Sequence, residues 1–70
     1  MIKVVSYTKT AEMQPNEYYF TINADTKAEV TDDAEIIGLD PDSKISQGSA
    51  LYTNDGNVAF RTSEDTWAWQ

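Results

Sequence analysis

Asn54-Asp55-Gly56-Asn57 separates two runs of strand composition, Ala50-Leu51-Tyr52-Thr53 and Val58-Ala59-Phe60-Arg61-Thr62, and no other feature of the chain limits its fold so tightly. An Asp-Gly pair between such runs favours a tight reversal, because a two-residue type I′ turn needs positive φ at both central positions. The flanking runs are then antiparallel neighbours. With Asp55-Gly56 as the loop, Thr53 is predicted opposite Val58, Tyr52 opposite Ala59 and Leu51 opposite Phe60, so that Leu51, Val58 and Phe60 share the core face. A second turn at Ser63-Glu64-Asp65 leads to Thr66-Trp67-Ala68-Trp69, where alternation puts both tryptophans on one side. The expected result is a C-terminal three-stranded meander.

The rest of the chain reads in the same way. Ile2–Thr8 is rich in β-branched and aromatic residues and short enough for a strand, with Ile2, Val4 and Ser6 facing one way. A polar loop over Lys9–Glu17 contains a Pro15-Asn16 turn. Glu17–Asn23 has the strongest strand composition, with Tyr18, Phe20 and Ile22 on one face and Tyr19 and Thr21 on the other, and is predicted to be central. Asp25 or Thr26 is placed to cap a short helical turn through Lys27-Ala28-Glu29. Ala34–Leu39 is an apolar run of strand length, stopped by Asp40-Pro41-Asp42-Ser43 because proline lacks an amide hydrogen and fixes its φ. No segment sustains a helical period with caps at both ends. The predicted fold class is mainly β: one small domain over residues 1–70, an antiparallel sheet or a compact barrel or sandwich, with at most one short helical turn.

Composition narrows what such a domain does. A chain of 70 residues buries only about 60% of its unfolded surface. With no Cys and no His, neither a disulfide nor a usual transition-metal site stabilises it, which leaves packing or self-association. The first residues turn polar at once and no window approaches the roughly 20 apolar residues of a membrane span. Cytosolic or virion-like surroundings are therefore expected, with no membrane partner. Twelve acidic residues against five basic ones give a charge of −7, which argues against direct contact with nucleic acid, since phosphate contacts need clustered Lys and Arg.

Catalysis is not expected. A nucleophile-and-base pair would need His, Cys or a perturbed Lys. The carboxylates of Asp32-Asp33-Glu35 and Glu64-Asp65 fall in polar connections, where solvation explains them more simply. Asp40-Pro41-Asp42-Ser43-Lys44 departs from a calcium loop at its fifth position, Ile45 stands where the turn glycine belongs, and Leu51 replaces the closing Glu. Gly38, Gly48 and Gly56 are scattered singly and build no phosphate cradle. No cofactor or metal is expected. Among the aromatics, Phe20, Phe60 and at least one Trp are predicted core. Tyr19, Tyr52 and Trp69 are the candidates for an exposed protein contact, joined by the acidic residues Asp32, Asp33, Glu64 and Asp65.

Ile45-Ser46-Gln47-Gly48-Ser49-Ala50-Leu51-Tyr52-Thr53 with Asn54-Asp55-Gly56-Asn57-Val58-Ala59-Phe60, followed by Thr66-Trp67, resembles a pattern of small accessory proteins of tailed bacteriophages. In these a Gly-Ser pair opens a strand, a tight turn returns a second, and a Trp closes the chain after an acidic turn. The resemblance covers about the last 25 residues. It implies a virion-associated or assembly-related protein that acts through self-association or contact with a larger virion protein, by pairing a spare strand edge, and that has no catalytic residues. It implies a location in the virion or the bacterial host cytoplasm. The acidic clusters support a second expectation, an inhibitor or decoy that occupies the basic groove of a nucleic-acid-binding host protein.

Overall fold

In a computed structural model describing residues 1–70, the chain forms one open, mixed six-stranded sheet with no helix, not closed into a barrel. The strands are β1 (Ile2–Thr8), β2 (Glu17–Ala24), β3 (Lys44–Ile45), β4 (Ala50–Thr53), β5 (Val58–Arg61) and β6 (Trp67–Trp69). The mainly β class and the C-terminal meander β4-β5-β6 are as the sequence predicts. β2 is central: β1 pairs antiparallel on one flank, β4 pairs parallel on another, and the order runs β1-β2-β4-β5-β6, with the short β3 also parallel to β2.

Two parallel pairings require a long crossover between β2 and β4. Residues 25–49 provide it, and they cover one face of the sheet. Beneath them Ile2, Phe20, Ile22, Ala24, Leu51 and Ala59 form the buried core together with Ile45 of the crossover. Val30, Ala34, Ile36 and Leu39 pack down from the crossover, and Trp67 and Trp69 close the far end.

Between β3 and β4 the chain leaves the β2 ladder for a turn, which would strand the Phe20 amide. Ser49 fills the gap: its buried Oγ accepts from Phe20 N–H at 3.0 Å. Gly48, at φ +94°, makes the turn and lies under Tyr19, where a methyl group would meet Cε1 at 3.5 Å.

The structure corrects several expectations. The β4–β5 loop has three residues, Asn54, Asp55 and Gly56, closed by Thr53 N–H to Asn57 O at 2.8 Å and Gly56 N–H to Thr53 O at 3.2 Å. Only Gly56 has positive φ, +93°, as in a type I turn ended by a left-handed residue, and not the two-residue type I′ turn. The register is Ala50↔Phe60, Leu51↔Ala59 and Tyr52↔Val58. A slip of one residue exchanges the faces, so Val58 and Phe60 point to solvent and Ala59 joins Leu51 in the core. The β5–β6 connection has the same form: Thr62 N–H to Thr66 O at 2.9 Å, Asp65 N–H to Thr62 O at 3.2 Å, and Asp65 at φ +61° in the place of Gly56.

Ser6 does not share a face with Ile2 and Val4, because β1 bulges between Val4 and Ser6 and its alternation resets there. Ala34–Leu39 is not a strand. Ile37 alone meets the β1 edge, accepting from Val4 N–H at 2.9 Å and donating to Ile2 O at 2.8 Å. Beyond it the β1 bulge and the turn at Gly38 end the pairing, while Ile36 and Leu39 face the core instead. Asp25–Glu29 forms a single turn without a helix, in which the Glu29 carboxylate accepts from the amides of Asp25 at 2.6 Å and Thr26 at 3.3 Å. The Met1 ammonium pairs with the same carboxylate at 2.6 Å and with Asp25 at 2.9 Å.

Candidate functional site

Two places are able to hold a partner: the uncovered face of the sheet and a cavity under the crossover. The uncovered face follows from strand alternation and the observed register. One row across it runs Ala68, Phe60, Ala50, Thr21, Ser6, and the next Val58, Tyr52, Asn23, Lys3. Tyr19 stands beside them, opposite Thr8. Tyr19, Tyr52, Val58 and Phe60 are 39%, 41%, 40% and 43% exposed, enough to offer ring and aliphatic surface while their strands stay in the ladder. Lys3 at one edge, and Glu17 at the end of β2 with Lys44 of β3 opposite it, are the charged strand positions on this face; from Tyr19 to Ala68 there is none.

Polar groups near this face are mostly committed. Asn23 Nδ2 donates to Tyr52 O at 3.3 Å and to Asn54 Oδ1 at 3.0 Å, and Asn54 Nδ2 reaches Asp25 Oδ1 at 3.1 Å. The hairpin tip is clasped by Asp55, which accepts from the Thr53 hydroxyl, from Lys27 N–H at 3.2 Å and from Asn57 Nδ2 at 3.2 Å. These bonds, the Thr53 one foremost, hold the Asp55 carboxyl below the usual carboxylate range. Glu17 is also held low, chiefly by the Gln14 amide.

The sequence offers Tyr19 and Tyr52 as exposed residues, and the structure leaves both exposed and brings them to this one face. Sequence reasoning missed Val58 and Phe60, which it assigned to the core. The signal available for them was the Thr53–Asn57 spacing, repeated at Thr62–Thr66, which suits a three-residue loop. Trp69 is not on this face. It pairs with Ala59 on the covered side, is half-buried against the core, and carries the Lys27 ammonium 5.0 Å from its ring centre.

The cavity, of about 400 Å³, opens between the crossover and the β5–β6 end of the covered face. Ile36 and Leu39 wall one part and Trp67 another, and Arg61 and the Lys44 position border it. Arg61 lies over the Trp67 ring at 5.1 Å. Its Nε is shut off from solvent with no hydrogen-bond partner, and neither Arg61 nor Lys44 forms an ion pair. Asp32 of the crossover and Asp65 of the β5–β6 turn border the same cavity. Asp33 and Glu64 are exposed beside them in sequence, Asp33 accepting from the Thr31 hydroxyl at 2.9 Å.

A smaller cavity, of about 190 Å³, lies by Tyr7, Tyr18 and Phe20, where the Tyr7 and Tyr18 rings meet edge to face at 5.4 Å. No three acidic side chains converge to hold a metal ion, and no helix is long and apolar enough to cross a membrane. Compared with protein-family models, curated proteins and solved structures, the chain matches none.

Proposed function

We propose that the protein acts without catalysis, through protein–protein contact, as a structural or accessory component of a tailed-phage particle, and that the uncovered face of its sheet is the contact surface. One observation carries the reading: in a chain of charge −7, the face presenting Tyr19, Tyr52, Val58 and Phe60 is free of carboxylates between β2 and β6. Interface centres are poor in charge and rich in aromatic residues, so this face is composed as a contact and the remainder as a solvated surface. The partner is a second copy of the chain or a larger virion protein. Repulsion between two acidic copies is screened beyond about 8 Å at physiological ionic strength, so it does not oppose docking of their uncharged faces.

Face docking replaces edge pairing as the mechanism. The β6 edge is three residues long, and the β1 edge is met by Ile37 and broken by a bulge. Short and bulged edges resist strand addition. The location that goes with this reading is the virion or the bacterial host cytoplasm.

The test is solution mass by light scattering over a dilution series at low and high salt, for the native chain and for Tyr52→Ser/Phe60→Ser. A discrete oligomer that persists at high salt and dissociates in the double variant is expected. A native chain that stays monomeric and is absent from purified particles overturns the reading.

A second reading, the acidic decoy of a basic host protein, is favoured by one feature: Asp32 and Asp65, far apart in sequence, border one cavity, so the crossover and turn acids lie on one side. A complex of this kind weakens steeply with salt. One that survives high salt unchanged rules it out.

A further inference from the structure

We infer that the cavity between the crossover and β5–β6 is a binding site for a small zwitterion with a large apolar side chain, of the class of apolar α-amino acids. The site is on the covered side of the sheet, so this inference is independent of the contact face proposed above.

The first argument is size and wall chemistry. A volume of about 400 Å³ falls within the range of small-molecule pockets and far above what a single water needs. Its lining includes Ile36, Leu39 and Trp67, which offer apolar contact to part of a branched aliphatic or aromatic side chain.

The second argument is uncommitted charge. The chain has five basic residues against twelve acidic ones, so a cation here has many acidic residues to pair with, yet Arg61 borders the cavity with no ion pair. Arg61 is held by its stack on Trp67, and none of its side-chain nitrogens donates a hydrogen bond. A guanidinium fixed by packing with its terminal N–H groups free is pre-organised for a carboxylate, which accepts two parallel bonds from it. A simple anion satisfies only part of the lining, because Asp32 and Asp65 border the same space and repel further negative charge. A ligand with a carboxylate for Arg61 and an ammonium for these aspartates satisfies both, while its side chain takes the Ile36–Leu39–Trp67 wall. Separated charges of both signs around an apolar pocket are the complement of an α-amino acid.

The experiment uses the full chain. L-Leucine and L-phenylalanine are titrated to millimolar concentration while the Trp67 indole N–H and the Ile36 and Leu39 methyl signals are followed by NMR. N-acetyl-L-phenylalanine, which lacks the ammonium, L-phenylalaninamide, which lacks the carboxylate, and inorganic phosphate serve as comparisons. Saturable shifts at these three residues are expected with the zwitterions, with affinity at least about tenfold lower for each blocked form, the equivalent of about 1.4 kcal/mol. Arg61→Gln should abolish the shifts. Because that change also removes the stack on Trp67, Asp65→Asn is the second variant: asparagine tolerates the left-handed backbone and removes only the charge, and it should bring zwitterion affinity down to that of the N-acetyl form. No saturable shift with either amino acid, or equal binding of N-acetyl-L-phenylalanine or phosphate, overturns the inference.

Discussion

The two faces of the sheet are built from the same strands, yet they end in different environments. Along β2, Tyr18, Phe20, Ile22 and Ala24 turn toward the crossover and Tyr19, Thr21 and Asn23 turn away from it; Ile22 and Ala24 are fully buried, while Tyr19 stays exposed. Both faces carry aromatic residues. What separates them is the cover, and the cover holds most of the acidic residues of the chain, from Asp25 to Asp42. Charge is thus concentrated over one side and in the turns, leaving the other side free of carboxylates from Tyr19 to Ala68. A net charge read from composition says nothing of this division, which comes from the topology that lays residues 25–49 across a single face.

The largest expected effect breaks the covered face. Leu51 is fully buried between Ile22 and Ala59, and Leu51→Ala should cost about 2–5 kcal/mol. A chain of this length holds about 4–10 kcal/mol in all, so the variant should be largely unfolded or melt far below the native chain. Phe60→Ser, one strand away on the open face, should cost only about 1 kcal/mol while weakening association. Urea unfolding and light scattering of the two variants check the contrast. A Phe60→Ser variant as unstable as Leu51→Ala would show that the open face is structural.

A smaller loss is expected at Ser49, where a side chain stands in for a missing ladder bond. Ser49→Ala removes the acceptor of the Phe20 amide in a buried place, and an unsatisfied buried donor costs about 1–3 kcal/mol. Hydrogen exchange at the Phe20 amide should quicken selectively. Exchange that is unchanged there would mean that the amide has another partner.

These positions also mark where the sequence was legible. β2 was readable because Tyr18, Phe20 and Ile22 alternate with polar or smaller residues, and this local pattern agrees with the global fold. The meander was readable from Gly56 and from the paired tryptophans. The register was not, because Asp55-Gly56 suits both a two-residue and a three-residue loop, and the choice between them exchanges Phe60 and Ala59 between core and solvent. The segment Ala34–Leu39 misled for a different reason: its composition is that of a strand, but the β1 bulge removes the edge it would need. The cavity was invisible, since Arg61, Asp65, Lys44 and Asp32 meet only through the parallel pairing of β2 with β4, a long-range event that no local pattern announces.

The two hairpin loops allow a finer comparison within the meander. Gly56 and Asp65 occupy equivalent positions with positive φ, and only the glycine adopts it freely. Gly56→Ala has open space around it, so its cost, about 1 kcal/mol, is that of the backbone alone. Asp65→Gly should be neutral or stabilising by up to about 1 kcal/mol. Thermal melting of the two variants should move in opposite directions, and movement in the same direction would show that the Asp65 side chain contributes bonds that outweigh its strain.

The smallest effect is expected from acid. Hydrogen bonds from Thr53, Lys27 and Asn57 lower the folded-state pKa of Asp55. A depressed carboxyl contributes stability above its unfolded value, about 3.9, and loses it as pH falls through the lower folded value. The clasp joining the hairpin tip to the crossover should therefore loosen only in strongly acidic solution. Asp55→Asn should exchange the Lys27 amide faster at neutral pH and show a flatter acid limb in a plot of melting temperature against pH. Identical acid limbs would mean that the clasp contributes nothing. The open face provides the contrast: with no carboxylate between Tyr19 and Ala68, its self-association has nothing of its own to titrate in this window. Acid also reduces the charge of −7, so association through that face should hold or strengthen where the clasp weakens. Association that fell together with Asp55 protonation would place the contact on the acidic side of the molecule instead.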